Sequence, residues 1–105
     1  MNRSLDNRNG MGTARVLLIM NPGARSGRGR SLWSVWKDRL QRAGVPFESA
    51  ETRGNGEAFR LARDADRFGI VVAAGGDGTI NEVLDGVIQS GRSDLAMGVL
   101  YCGTS

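Results

Sequence analysis

The sequence predicts a three-layer α/β domain in which strands and helices alternate in the order βαβαβαβ. Four short apolar runs alternate with three segments whose apolar residues recur at helical spacing. This alternation is typical of a parallel sheet with flanking helices on its faces. Glycine-rich segments follow the first and third apolar runs directly. Ligands bind beyond the carboxyl ends of the strands in such sheets, so these segments are the first place to look for a site.

The composition is that of one globular domain. The chain has 105 residues, 40% of them apolar, and a net charge of +3. The charges are scattered, which is a weak sign of an anionic ligand or membrane surface and predicts no nucleic-acid partner. The chain has no histidine, which removes the commonest general base, and one cysteine, Cys102. With no run of about 20 apolar residues and no signal-peptide pattern, we expect a cytoplasmic protein.

The first half of the chain contains two strands and one helix. Residues 1–13 are polar and lack periodicity, so we expect a disordered tail before a domain that spans residues 14–105. Residues 14–20 form a continuous apolar run, which indicates a strand buried on both faces. The helix spans residues 29–42, with Trp33 at the margin of its apolar stripe and a glycine after its end. That stripe consists of Leu32, Val35, Trp36 and Leu40. Residues 47–52 form the second, weaker strand.

The second half of the chain repeats the alternation. A second helix, ended by Gly69, carries the apolar residues Ala58, Leu61, Ala62, Ala65 and Phe68. Residues 70–74 form a third strand with β-branched character. A third, clearly amphipathic helix carries Ile80, Val83, Leu84, Val87 and Ile88. Residues 97–102 form the fourth strand.

The segment AAGGDGTINEV, residues 73–83, predicts a phosphate-binding turn. Its three glycines allow close approach of the backbone to a ligand, and a helix starting near Thr79 presents unpaired N–H groups. Asp77 would repel phosphate, so it suits a hydroxyl acceptor, a ligand of a metal-bound water or a helix N-cap. Asn81 could donate to a phosphate or a base. The alternative is a tight strand-to-helix turn capped by Asp77 or Thr79. The spacing is not that of the dinucleotide fingerprint.

Other polar residues follow the remaining strands. Residues 21–30 contain three glycines and three arginines, which suits an anionic ligand, although the segment lacks a Walker A motif. The arginines could instead face an anionic membrane, or the segment could be a solvated loop. Asn21, Thr52 and Thr104 follow strands one, two and four, where each could bind a phosphate or ribose. Each could equally be a cap or turn residue.

Three segments together resemble the catalytic domain of diacylglycerol kinases. They read Asn-Pro-x-x-x-x-Gly-x-Gly after strand one, Gly-Gly-Asp-Gly-Thr-x-Asn-Glu-Val after strand three, and Gly-Val-Leu-x-x-Gly-Thr at strand four. This superfamily includes bacterial lipid kinases and sphingosine kinases, and NAD kinases share its GGDGT element. The resemblance covers residues 14–105. It implies an NAD kinase/diacylglycerol kinase-like N-terminal domain, with ATP in the cleft between it and a larger β-rich domain.

The resemblance also implies roles for individual residues. Asp77 would be catalytic, and it would orient or deprotonate a group through a bound hydroxyl or metal water. ATP and Mg²⁺ are the implied cofactors, with the metal ligands on the second domain and none assigned to this chain. The positions that match nucleotide-binding places are Asn21, Thr52, Gly75, Gly76, Asp77, Gly78, Thr79, Ile80, Asn81 and Thr104.

The sequence departs from the family pattern in two ways. Tyr101 stands where a proline is usual, and the second domain, which would supply the lipid pocket, is absent. Because phosphoryl transfer depends on positioning and charge neutralisation, we expect half a cleft to be inactive alone. The parent reaction would phosphorylate a lipid hydroxyl, such as that of diacylglycerol, at the inner membrane surface. The alternatives are a non-catalytic nucleotide-binding module, an NAD kinase-like fragment, and a homo-oligomer formed through the exposed domain interface.

Overall fold

A computed structural model of the chain describes residues 15–21 and 28–101. The order βαβαβαβ predicted from the sequence is confirmed there. The predicted tail, residues 1–13, lies outside the described residues. The elements are β1 (Val16–Met20), α1 (Arg28–Arg42), β2 (Phe47–Glu51), α2 (Glu57–Arg63), β3 (Ile70–Gly75), α3 (Asp77–Ser90) and β4 (Ala96–Tyr101).

The four strands form one parallel sheet in the order β2-β1-β3-β4. β1 lies in the interior of the sheet, with β2 on one side and β3 on the other. All five β1 residues are buried, which explains why this strand reads as a continuous apolar run rather than an alternating one. Within the described part of the chain, β2 and β4 are the two edges of the sheet.

The side chains of the strands alternate between two core layers, one on each face of the sheet. On one face, Leu17 and Ile19 pack with Ala58 and Ala62 of α2 and Val83 of α3. The other face packs against α1, and its buried residues are Val16, Leu18, Met20, Trp33 and Ala74. Successive strand residues point to opposite faces, so one strand serves both layers. Burying each large aliphatic side chain contributes about 1.5–3 kcal/mol.

The orientation of α1 differs from the prediction. Trp33, expected at the margin of the apolar stripe, is buried to 4% exposure, whereas Val35 is 47% exposed. Trp36, expected in the core, is only half-buried. Trp33 and Leu40 lie seven residues apart and therefore share the helix face that meets the sheet. Helical spacing alone allowed two neighbouring stripes, and packing against β1 selects the one that contains Trp33.

The helix α2 is shorter than predicted. It ends at Arg63, with Asp64 at its C-cap, whereas the sequence predicted a helix that continued to Gly69. Ala65 and Phe68 are nevertheless buried in the same core layer. They lie in turns after the helix, where the Phe68 N–H donates to the Ala65 carbonyl oxygen at 3.1 Å. Apolar spacing therefore identified the buried residues correctly but not the backbone that carries them.

The helices α2 and α3 touch through their backbones at Gly86. A Cβ atom on Gly86 would lie 2.4 Å from the carbonyl oxygen of Phe59 and 2.7 Å from the Cβ of Ala62. This close contact packs α3 against α2, and the N-terminus of α3 follows directly after the end of β3. Among the helices described, none has both the length and the apolar character required to cross a bilayer.

Candidate functional site

The carboxyl ends of the strands bring three predicted site positions to one edge of the sheet, which we call the rim. The Asn21 N–H donates to the Ala74 carbonyl oxygen at 3.2 Å, and the Thr52 N–H donates to the Met20 carbonyl oxygen at 2.8 Å. Each residue thus extends the hydrogen-bonded ladder one step past its strand. Together with the strand register, these bonds place Asn21 next to both Thr52 and Gly75.

Thr52 is the most deeply buried polar residue of the rim, at 2% exposure. Its hydroxyl lies 3.5 Å from the Met20 carbonyl oxygen. That separation is at the outer limit of a hydrogen bond, so the interaction contributes little to stability. The hydroxyl therefore has no strong hydrogen-bond partner among the described residues.

The turn from β3 into α3 is built on contact between glycine and threonine. Gly75 has φ of +157°, and a Cβ atom there would lie 3.0 Å from both the Cβ and the Oγ1 of Thr79. A side chain at position 75 would therefore displace the first turn of the helix. Gly76 is extended, with φ of −91° and ψ of −167°, and it is the N-cap of α3.

The cap of α3 contradicts one interpretation of the sequence. Neither Asp77 nor Thr79 is the N-cap, because α3 already begins at Asp77 and its cap, Gly76, makes no side-chain hydrogen bond. The capping geometry requires a side chain that precedes the helix, and glycine has none. Asp77 instead lies in the first turn, where its negative charge interacts favourably with the helix dipole.

The first turn of α3 has backbone donors that precede its intrahelical hydrogen bonds. The Ile80 N–H donates to the Gly76 carbonyl oxygen at 3.1 Å, so intrahelical pairing starts at Ile80, and the N–H groups of residues 77–79 precede it. The Thr79 side chain is 7% exposed. Across the described residues, no hydrogen bond involves the side chains of Asp77, Thr79 or Asn81. Backbone N–H groups and a helix dipole in this arrangement bind an anion.

Gly78 lies in this first turn, on its open side. A Cβ atom there would meet nothing within 4 Å, so no neighbouring atom of the described chain requires glycine at this position. Glycine inside a helix costs about 1 kcal/mol relative to alanine. A ligand that approaches the backbone closely is a physical reason to keep glycine here.

A magnesium ion fits this rim only together with a ligand that brings its own oxygens. No group of three or more Asp, Glu, His or Cys side chains converges in the described residues. Asp77 is exposed and provides one carboxylate at the rim. Mg²⁺ is commonly held by one or two carboxylates together with substrate phosphates and water. Asp77 beside the phosphate-binding turn fits that mode.

The loop after Thr52 is a rim feature whose left-handed backbone sequence reasoning did not identify. Three successive residues have positive φ, namely Gly54 at 104°, Asn55 at 60° and Gly56 at 78°. Glu57 closes the loop by accepting a hydrogen bond from the Arg53 N–H at 2.7 Å. Arg60 donates to the Asn55 carbonyl oxygen at 3.2 Å. The Gly-Asn-Gly sequence was the available signal, because these residues tolerate left-handed conformations.

An open groove of about 710 Å³ runs between β2 and α2, with Thr52 among its lining residues. Several of its charged side chains already have a partner. Arg67 lies 3.3 Å from Glu48, and Arg63 lies 2.9 Å from Asp64. Hydrogen bonds from Arg63 lower the pKa of the Asp64 carboxyl. The free donors are on α3, so the rim and not this groove is the candidate site.

The remaining predicted positions divide into two groups. Tyr101, which stands where the family has proline, is the register partner of Gly75 and is 57% exposed. It therefore lies on the strand beside the turn from β3 into α3. Thr104, Cys102 and residues 22–27 of the arginine-containing loop lie outside the described residues.

Comparison with known proteins agrees with this geometry. A profile of the diacylglycerol kinase catalytic domain matches residues 15–105. Lipid kinase YegS of Escherichia coli K12 is 41% identical over 69 residues, covering 63% of this chain and 23% of that protein. A probable YegS-like lipid kinase of Chromohalobacter salexigens is 39% identical over 70 residues, covering 64% and 22%.

A solved structure shares the fold. It belongs to a Bacillus anthracis strain Sterne protein named as a diacylglycerol kinase, and it superposes with a TM-score of 0.68. The sequences are 23% identical, and the match covers 89% of this chain and 32% of that one. The chain thus spans about a quarter to a third of the length of these relatives. By the match over residues 15–105, the chain belongs to the diacylglycerol kinase catalytic domain family.

Proposed function

We propose that this chain is the nucleotide-binding part of an ATP-dependent lipid kinase. In the parent reaction, the γ-phosphate of ATP passes to the hydroxyl of diacylglycerol or a related lipid at a membrane surface. The observation that carries the proposal is the first turn of α3, where intrahelical pairing begins only at Ile80 and a Cβ atom on Gly78 would meet no described atom within 4 Å. Asn21 and Thr52 lie on the same rim, within reach of the rest of a nucleotide.

Each part of the rim has a role in this proposal. The N–H groups of residues 77–79 and the hydroxyl of Thr79 would hold phosphate oxygens, and Asn21 and Thr52 would hold the ribose or a further phosphate. Asp77 would accept a hydrogen bond from the reacting hydroxyl and orient it. Bound Mg²⁺ would neutralise phosphate charge beside Asp77. One helix N-terminus contributes only about 0.3–2 kcal/mol to anion binding, so several of these groups must act together.

The chain alone is expected to bind nucleotide weakly and to have no measurable turnover. All the rim residues belong to one side of a cleft, and Asp77 and Gly78 are exposed. Phosphoryl transfer requires a positioned acceptor and neutralised charge, which an open rim does not provide. Measurable phosphorylation of lipid by the pure 105-residue chain would contradict this part of the proposal.

Calorimetric titration with MgATP tests the site directly. We compare the chain with Asp77→Ala and Gly78→Ala, and we use Asp85→Ala as the matched control, since Asp85 is an exposed carboxylate on the same helix. Asp85→Ala should bind as the unchanged chain does, whereas Gly78→Ala should bind more weakly. Equal affinities for the unchanged chain, Asp77→Ala and Gly78→Ala would show that ATP binds elsewhere. Absence of binding at millimolar ATP would show that the rim alone does not form a site.

The side of the sheet formed by the last strand, β4, supports a proposal about contact with another protein surface. Val99 and Tyr101 on the edge strand β4 are 49% and 57% exposed, and Ile88 on α3 is 64% exposed. Exposed apolar side chains at the edge of a sheet favour contact with another protein surface. We propose that a second domain or a second copy of the chain covers this edge. Sedimentation velocity on the chain and on Val99→Lys separates the two, because only self-association would disappear in the variant.

A further inference from the structure

The outer side of α1 presents an aromatic and cationic surface that the nucleotide site does not use. At 3.6 residues per turn, Trp36, Arg39, Val35 and Arg42 follow one another around the helix over an arc of about 120°. We call this surface the α1 face. Asp38 borders it, and Trp33 and Leu40 lie on the opposite, core side.

The two apolar residues of the α1 face, Val35 and Trp36, do not belong to either core layer. Val35 is 47% exposed. Trp36 is half-buried, yet it does not pack with either core layer of the described residues. The guanidinium carbon of Arg39 instead lies 5.3 Å from the centre of its ring, at cation–π distance. An amphipathic indole next to an arginine is typical of a polar–apolar boundary.

The charge of α1 identifies the kind of partner. The helix contains five basic residues and one acidic residue, Asp38. That carboxylate is 3.1 Å from Arg42 and is therefore already paired. A basic amphipathic helix with a tryptophan matches an anionic lipid surface in both charge and polarity. A nucleic-acid base would need an open indole face for stacking, and Arg39 covers a face of Trp36.

We propose that the α1 face, Val35, Trp36, Arg39 and Arg42, docks on an anionic membrane surface. The indole and the valine enter the headgroup boundary, while the two arginines contact lipid phosphates. The inference goes beyond the nucleotide site and requires neither ATP binding nor turnover.

Vesicle binding tests the proposal without nucleotide. The full chain is mixed either with vesicles of phosphatidylcholine alone or with vesicles that also contain about 40% phosphatidylglycerol. The salt concentration is about 100 mM, at which the Debye length is about 10 Å. Brominated acyl chains report whether a tryptophan reaches the hydrocarbon boundary. The anionic vesicles should bind the chain and quench its fluorescence, whereas Trp36→Phe, which retains Trp33, should show no quenching.

Charge variants locate the contact on the chain. Arg39→Gln should weaken partitioning about fivefold, the effect of one cation near an anionic surface. Asp38→Asn should strengthen it. Arg63→Gln is the matched control, because Arg63 is an exposed arginine on α2 across the sheet, and it should leave binding unchanged. Equal losses in Arg39→Gln and Arg63→Gln, persistent quenching in Trp36→Phe, or tighter binding to a single-stranded oligonucleotide than to vesicles would overturn the proposal.

Discussion

Gly75 and Thr79 touch where β3 becomes α3, with the Cβ position of Gly75 only 3.0 Å from the Oγ1 of Thr79. This contact determines where α3 starts and hence where its free N–H groups point. Gly75 is the last residue of β3 and Thr79 lies in the first turn of α3, so this contact links the sheet to the candidate phosphate site.

Gly75→Ala should destabilise the fold. The new methyl group would lie within 3.0 Å of Thr79 at a backbone φ of +157°. Overpacking of this kind costs about 1–3 kcal/mol. Urea unfolding followed by circular dichroism measures the loss, and an unchanged midpoint would contradict the contact.

Gly78→Ala should have the opposite effect on stability. Its methyl group meets no atom within 4 Å, so the exchange should stabilise the helix by about 0.5–1 kcal/mol. If the proposed function is correct, the same methyl group should weaken ATP binding. The pair of measurements on one variant distinguishes a ligand site from a structural turn, because a purely structural glycine would not couple higher stability to lower affinity.

Gly86→Ala should be among the most damaging substitutions in the chain. The added Cβ atom would overlap the Phe59 carbonyl oxygen at 2.4 Å and force α2 and α3 apart. We expect a loss of about 3 kcal/mol or the absence of folding, at the upper end for overpacked sites. Gly98→Ala is the control, since its Cβ atom would make an ordinary contact with Val72 at 3.4 Å. A thermal melt of both variants provides the comparison.

Thr52→Val should change stability by less than about 1 kcal/mol, because its hydroxyl makes only a 3.5 Å contact with the Met20 carbonyl oxygen. Under the proposed function it should lower nucleotide affinity, since the hydroxyl at the rim is lost. Urea unfolding and ATP titration of the same preparation test the two statements. A large loss of stability with unchanged affinity would assign Thr52 to the core instead.

Sequence reasoning succeeded where one residue pattern allowed one backbone. The apolar run of β1 could only be a doubly buried strand, and the glycines at 75, 76 and 78 marked the turn into a helix. It was wrong where the spacing of apolar residues fitted two local arrangements. Neither the choice between Trp33 and Trp36 nor the end of α2 at Arg63 follows from periodicity, because both depend on the surface that packs opposite.

The sequence by itself determined the alternation of strands and helices and the location of polar residues after the strands. Only the tertiary structure decided that the sheet order is β2-β1-β3-β4, and therefore that Asn21 lies between Thr52 and Gly75. It also decided that Gly76 caps α3 and that Trp36 is half-buried beside Arg39 rather than packed in the core. Local propensities act over a few residues, whereas strand order and helix rotation depend on packing between segments far apart in the chain.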